Sequence, residues 1–227
     1  MSRAGSPPVL RQRAIVACGL LGPLLLVVYF VSPALTQWPY AGASPHRLLE
    51  YALSHESLFY AGAWLQATGT LLSVAFFLAL MEAARPSASF WKSMVFVTAS
   101  SLLAVVLVEG AFLIAVPIAA HAGDESTVAT SFALSNGVFA RVFPLAPASG
   151  TYLALGAVLL GGSILPRLMA QAAIALGAAF EIAGLLAIFS AVGLYAAIAL
   201  SVLQVLWIVT AAISYGLGRP SRLAAAS

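Results

Sequence analysis

The sequence predicts an all-α, polytopic membrane protein: a bundle of six transmembrane helices with a small non-cytoplasmic cap. Three observations carry this. Of 227 residues, 62% are hydrophobic and only 7% are charged. Mean hydropathy is +1.03. Nearly all the basic residues fall in short gaps between long apolar runs. A helix needs about 20 apolar residues to cross the hydrocarbon, so about six spans use most of the length, and no soluble catalytic domain fits in the rest.

The elements follow in order. Ser6, Pro7 and Pro8 mark a loose tail, and Arg11 and Arg13 precede the first apolar run. Ser32-Pro33-Ala34 resembles a signal cleavage site, but a run of about 18 apolar residues exceeds a signal core of about 7–15. An uncleaved first span over about 11–32 is therefore expected. The interval 32–55 is the longest polar one. Within it, Ser44-Pro45 supplies an N-cap and a first-turn proline for a short surface helix over 46–53. Trp38 and Tyr40 suit a headgroup-level belt. Ser54 caps a second span over about 56–83, and the third lies within 88–119, with Pro117 near its end.

Residues 123–126 form a turn. The stretch from there to Leu165 is about 40 residues, too long for one straight crossing at about 1.5 Å per residue. Pro144 and Pro147 break it, giving a surface or re-entrant helix over 126–142 and a fourth span over about 145–164. Pro166-Arg167 punctuates a turn into the fifth span, 168–190. A minimal turn near Gly193 leads to the sixth, 193–216, which Gly216, Gly218 and Pro220 end. The cap is then expected from 34–55 and 121–143.

With six spans, Arg3, Arg11, Arg13, Arg85, Lys92, Arg167, Arg219 and Arg222 share one face. Arg47 and Arg141 share the other with Glu50, Glu56, Asp124 and Glu125. The positive-inside bias predicts a protein of the cell (inner or plasma) membrane with both termini cytoplasmic. The dispersed basic residues thus set orientation, and no nucleic-acid partner is expected. Cys18, the single cysteine, excludes an intrachain disulfide and a thiolate metal cluster.

An ionisable group in the hydrocarbon costs about 2.5–3.5 kcal/mol on insertion scales, so each needs a partner or a purpose. Gln66, Glu109, Glu181 and Gln204 all fall roughly 13–17 Å below the outer boundary. Arg141 enters from the same side. One reading is a solute or proton site, with Glu109 and Glu181 titrating and Arg141 as counter-ion or anion clamp. The other is structural: Arg141 pairs with one carboxylate, the other is protonated, and the amides bond between helices. Glu82, near Arg85, reads as an interfacial charge.

Residues 62–69 echo residues 177–184: in each, glycines at i−4 and i+3 flank a polar residue, Gln66 or Glu181. An inverted repeat or simple close packing of small residues accounts for either. The three histidines, His46, His55 and His121, belong to the outer face. His55, Glu56 and His121, with Asp124 or Glu125, are candidates for an imidazole and carboxylate metal site. They lack the spacing of a zincin helix, and exposed interfacial histidines are the plainer reading. No cofactor is expected. A Gly-x-Ser-x-Gly elbow, a P-loop and an Arg-rich voltage-sensing helix are all missing from the sequence.

The run Gly161-Gly162-Ser163-Ile164-Leu165-Pro166-Arg167, followed by Ala175-Leu176-Gly177 and Gly184-Leu185-Leu186, resembles a pattern of uncharacterised bacterial six-helix integral membrane proteins, grouped as a domain of unknown function. The Glu109-Gly110 step is similar too. The resemblance covers about 60 residues and implies six helices without an assigned activity.

Three functions remain in order. The first is binding or transport of a small solute, ion or lipid through the intramembrane polar cluster. The second is an accessory or scaffold subunit that meets a membrane-protein partner, or a second copy, through the glycine faces at Gly62/Gly69 and Gly177/Gly184. The third is an enzyme acting at the outer membrane boundary through His55, His121 and nearby carboxylates. Membrane lipid is a partner in every case.

Overall fold

A computed structural model describes residues 8–36, 38–39, 43–84, 89–190 and 192–218. Arg3, Tyr40, Arg85, Arg219, Pro220 and Arg222 lie outside them. The described residues are all-α. The helices are α1 (Pro8–Leu35), α2 (Pro45–Ser54), α3 (Glu56–Ala84), α4 (Ser89–His121), α5 (Glu125–Gly137), α6 (Gly150–Leu160), α7 (Arg167–Phe189) and α8 (Val192–Gly218). Five helices are long and apolar enough to cross a membrane, and the bent path Glu125–Val142 plus Pro144–Leu160 counts as a sixth when its two halves are taken as one span. This is the architecture of a membrane-embedded protein.

The spans close into a ring. α1 packs on α3, α3 on α4, α4 on α6, α6 on α7, α7 on α8, and α8 back on α1. Each chain reversal makes sequence neighbours antiparallel, and an even number of spans makes α1 and α8 antiparallel too. Gln12 near the start of α1 accordingly donates to the Gly216 carbonyl near the end of α8 at 3.1 Å. The ring is drawn tight by small residues: a Cβ on Gly22 of α1 would lie 2.8 Å from the Gly69 carbonyl of α3. Such close crossings are how helices associate where lipid supplies no hydrophobic drive.

The fourth span departs most from its expected form. Proline lacks an N–H, and its ring clashes with the carbonyl four residues back. The chain answers at Pro144 and Pro147 by widening to π-type turns over Val138–Val142 and Pro144–Ser149, the second broken by a non-helical ψ of −140° at Leu145. Phe143 N bonds to Val138 O at 2.9 Å and Ala148 N to Phe143 O at 3.0 Å, both five residues back. The two halves meet at 42°. The span also stops at Leu160 instead of continuing to 164, because Gly161-Gly162 disfavour helix and Pro166 restricts the residue before it.

At the end of the ring opposite the termini, α2 packs against α4 and α5. Ser44 caps α2, its Oγ accepting from Arg47 N, and Asp124 caps α5 through Thr127 N at 3.0 Å. Between α4 and α5 the chain turns through Gly123 at φ +71°. Asp124 N bonds to Ala119 O and Gly123 N to Ala120 O, a helix ending that favours glycine at this φ.

Two apolar cores fill the ring. One surrounds Phe77, Tyr152, Phe180 and Trp207 toward the termini. The other lies under the cap around Leu48, Phe59, Leu113 and Phe132. On α3, Gln66, Thr70 and Ser73 fall between Ala63 of the cap-side core and Val74 of the other; on α4, Glu109 falls between Val106 and Leu113. A polar layer therefore separates the two cores.

Candidate functional site

The layer surrounds a cavity with about 470 Å³ of space free of protein atoms, its open mouth included. Its walls come from α1 (Leu26, Phe30), α3 (Gln66, Thr70, Ser73), α4 (Leu102, Val106, Glu109), the first π-turn and the residue after it (Phe139, Phe143), and α8 (Ser201, Gln204, Val205). Gln66, Thr70 and Ser73 share one face of α3 because residues spaced by three and four do so, and Ser201 and Gln204 share one face of α8 by the same rule.

The carboxyl and both amides of the lining are almost wholly enclosed: Glu109 is 2% exposed, Gln66 3% and Gln204 6%. Tyr29 donates its phenol to Glu109 Oε1 at 3.3 Å. Glu109 Oε2, Gln66 Oε1 and Gln204 Oε1 are buried without a hydrogen-bond partner among the described residues. The hydroxyls of Ser73 and Ser201 donate to their own helices, at Gly69 O and Ala197 O, 2.8 Å each. Their remaining lone pairs add acceptors to the cavity. A buried orphaned acceptor costs about 1–3 kcal/mol, so three around one cavity are a substantial burden on the fold.

The expected five-residue cluster divides. Gln66, Glu109 and Gln204 meet at the cavity. Glu181 does not: half-buried on α7, it accepts from Ser149 Oγ through Oε2 at 2.6 Å. Arg141 does not either. Its Nε donates to the Ala187 carbonyl at 3.1 Å, which places a cation at the C-terminal end of α7, where the helix dipole favours it. Neither residue lines the cavity, so the pairing of Arg141 with a carboxylate is replaced by a helix-end contact.

The glycine faces proposed as partner contacts are occupied from within. Gly62 faces the Tyr29 ring, and Gly69 meets Gly22 and Leu26 of α1. Gly177 meets Ser149 and Leu153, and Gly184 meets Leu145. Each glycine pair thus packs on the span preceding its own, as an inverted repeat demands, but the correspondence ends at the polar residue: Gln66 faces the cavity and Glu181 faces Ser149.

The outer histidines take separate partners. His121 Nε2 lies 3.1 Å from Glu56 Oε2. His55 stacks on Tyr51 at 4.3 Å between ring centres and sits 2.8 Å from Ser54 Oγ. His55 therefore turns away from the Glu56–His121 pair, and no group of three His, Cys, Asp or Glu with metal-holding geometry occurs among the described residues. His46 Nδ1 reaches Glu125 Oε1 at 2.9 Å and its Nε2 reaches Glu50 Oε1 at 3.3 Å. The Glu125 hydrogen bond, then the charges of Glu50 and Glu125, raise the His46 pKa above its ordinary 6.5. Hydrogen bonds from Thr127 lower that of Asp124.

Sequence reasoning missed Tyr29, Thr70, Ser73, Ser201 and the phenylalanine walls. A signal existed for three of these: the polar positions 66, 70 and 73 on one apolar helix and 201 and 204 on another follow helical spacing. Tyr29 and Phe139 gave none, because their roles depend on which helices are neighbours.

A second, apolar cavity of about 320 Å³ lies on the cap side, lined by Tyr29, Ser32, Trp38, Leu58, Phe59, Ala61, Gly62, Leu65 and Leu113. Tyr29 belongs to its wall and also bonds Glu109 of the polar cavity. No family model, curated relative or solved structure matches the chain.

Proposed function

We propose that the protein binds, and in the membrane transports, a small solute held in the mid-ring cavity by Glu109, Gln66 and Gln204. The observation that carries this reading is the convergence of three enclosed, unpartnered acceptor oxygens on one cavity. A purely structural network would spend those oxygens on neighbouring helices, since each one left bare in a membrane interior destabilises the fold. The apolar cavity behind Tyr29 is the approach from the cap side. The basic residues at the termini favour a cytoplasmic placement of both ends in the inner or plasma membrane, so the approach opens outward.

The test is uptake of labelled small solutes, across charge classes, into proteoliposomes carrying the full chain. The reading expects at least one saturable substrate whose uptake Glu109→Gln abolishes while helix content and elution volume are kept. Uptake indistinguishable between the two proteins for every class tested would overturn transport through this site. A C-terminal alkaline phosphatase fusion checks the orientation: it is expected to be inactive, and an active fusion would reverse the topology.

A further inference from the structure

On the footing that the polar layer binds a solute at all, its size and chemistry name the occupant. The free volume of the cavity includes an open mouth; the part that a body the size of water can occupy admits about one such body. A hydrated ion or an organic molecule is too large for the layer as it stands.

Charge comes next. Glu109 is the one ionisable side chain in the lining, and no basic group accompanies it among the described residues. Tyr29 of α1 reaches it with a phenol, a neutral donor. The other titratable groups on the surrounding elements are engaged elsewhere: Arg141 at the Ala187 carbonyl, Glu181 at Ser149, Glu56 with His121, and His46 with Glu50 and Glu125. An ionised carboxylate enclosed in a membrane without a cation is costly, and taking up a proton removes the charge. Tyr29 already donates to Oε1, so the proton falls to the unpartnered Oε2.

The hydrogen bonds then balance. A protonated Oε2 turns from acceptor to donor. Gln66 Oε1 and Gln204 Oε1 stay acceptors and need one donor each. A water molecule has two O–H donors and lone pairs to accept with, and buried waters typically make about three hydrogen bonds. One water that accepts from Glu109 and donates to each amide satisfies all three orphaned oxygens. Either component alone fails. A proton without water leaves one amide oxygen bare, and a water facing a carboxylate has two donors for three acceptors.

We propose that the layer is a proton site, holding one exchangeable proton on Glu109 Oε2 and one water molecule between that proton and the oxygens of Gln66 and Gln204. When the proton leaves to solvent, the carboxylate claims one O–H of the water and one amide oxygen loses its donor. Gain or loss of the proton therefore rearranges the contacts among α3, α4 and α8. Ordering a water costs entropy that offsets part of what its hydrogen bonds return, so filling the layer this way adds little to stability.

The experiment is infrared spectroscopy of the full chain in nanodiscs at neutral pH, in ordinary water, heavy water and water enriched in heavy oxygen. A protonated carboxyl C=O band is expected that shifts in heavy water, disappears in Glu109→Gln and persists in Glu181→Gln. A water O–H band that shifts with heavy oxygen is expected beside it. The Gln66→Leu/Gln204→Leu variant should remove the water band and move the carboxyl band to higher frequency. If Glu109→Gln does not fold, these two changes decide. No carboxyl band, or one unchanged in Glu109→Gln, would overturn the proton. A carboxyl band with no amide-dependent water band would overturn the water, the carboxyl then donating straight to an amide. Neither result decides solute uptake in proteoliposomes, so failure of the proton site and failure of the binding reading are told apart.

Discussion

The half of the ring around Tyr152 and the layer around Glu109 share helices α3, α4 and α8, yet they solve opposite problems. In the first, Phe77, Tyr152 and Trp207 meet edge to face at 5.4–5.5 Å around Tyr152, and the Trp207 indole donates to Met169 O at 2.9 Å. Side chains fill the space, and one phenol, Tyr152 Oη, is left without a partner. In the second, polar groups gather around free volume and three acceptors remain bare. The contrast separates packing from polar enclosure. A filled core stabilises; a layer that leaves acceptors bare around a space does not, and that difference is what supports the proposed binding role.

The largest effect expected from this comparison is in the filled half. Tyr152→Ala empties the junction of three aromatic neighbours and should destabilise the protein by about 3–5 kcal/mol, read as a loss of unfolding free energy in mixed micelles. Overfilling the helix crossing comes next. Gly69→Val places side-chain carbons where Gly22 O already lies 2.9 Å from a first Cβ, and should cost about 1–3 kcal/mol. A smaller loss would mean that α1 moves freely against α3.

The two carboxyls sharpen the comparison further. Glu181→Gln retains an acceptor for the Ser149 hydroxyl, so its stability should change by no more than about 1 kcal/mol, and ligand binding should be unaltered. Binding lost in Glu181→Gln as in Glu109→Gln would rejoin the two residues into one site. The smallest effect lies in the cap. A pKa raised in the folded state gives stability that is present below the unfolded value, near 6.5 for His46, and lost as pH rises through the folded value. Hydrogen exchange in α2 should therefore quicken as pH climbs through that window, once the intrinsic pH dependence is divided out, and His46→Gln should remove the change.

Much of the fold is legible in the order of residues alone. Apolar run lengths imply six crossings, and Ser44-Pro45 and Gly123-Asp124 mark the cap helices, because these signals are local. That Gln66, Glu109 and Gln204 share one level is legible too, since rise per residue is constant. Rotation about each helix is harder. Glu181 follows Phe180 on α7, where Ala173, Gly177, Phe180 and Gly184 form the buried stripe; a step of one residue turns its side chain roughly 100° away from Phe180. Arg141 is unreadable for a different reason. Its partner is a backbone carbonyl 46 positions away in sequence, and the π-helix that aims it arises from Pro144 and Pro147 together. Ring closure between α1 and α8 likewise depends on helix adjacency, which run lengths leave open.

The bareness of the polar layer is the central claim, and one measurement reaches it directly: the unfolding midpoint of the Gln66→Leu/Gln204→Leu double variant without added ligand. If both amide oxygens are orphaned, replacing them with leucine removes a burden of about 1–3 kcal/mol each, and the midpoint should hold or rise. A fall as large as that of Tyr152→Ala would show that the amides tie helices together, and would contradict the reading of this layer as a binding site.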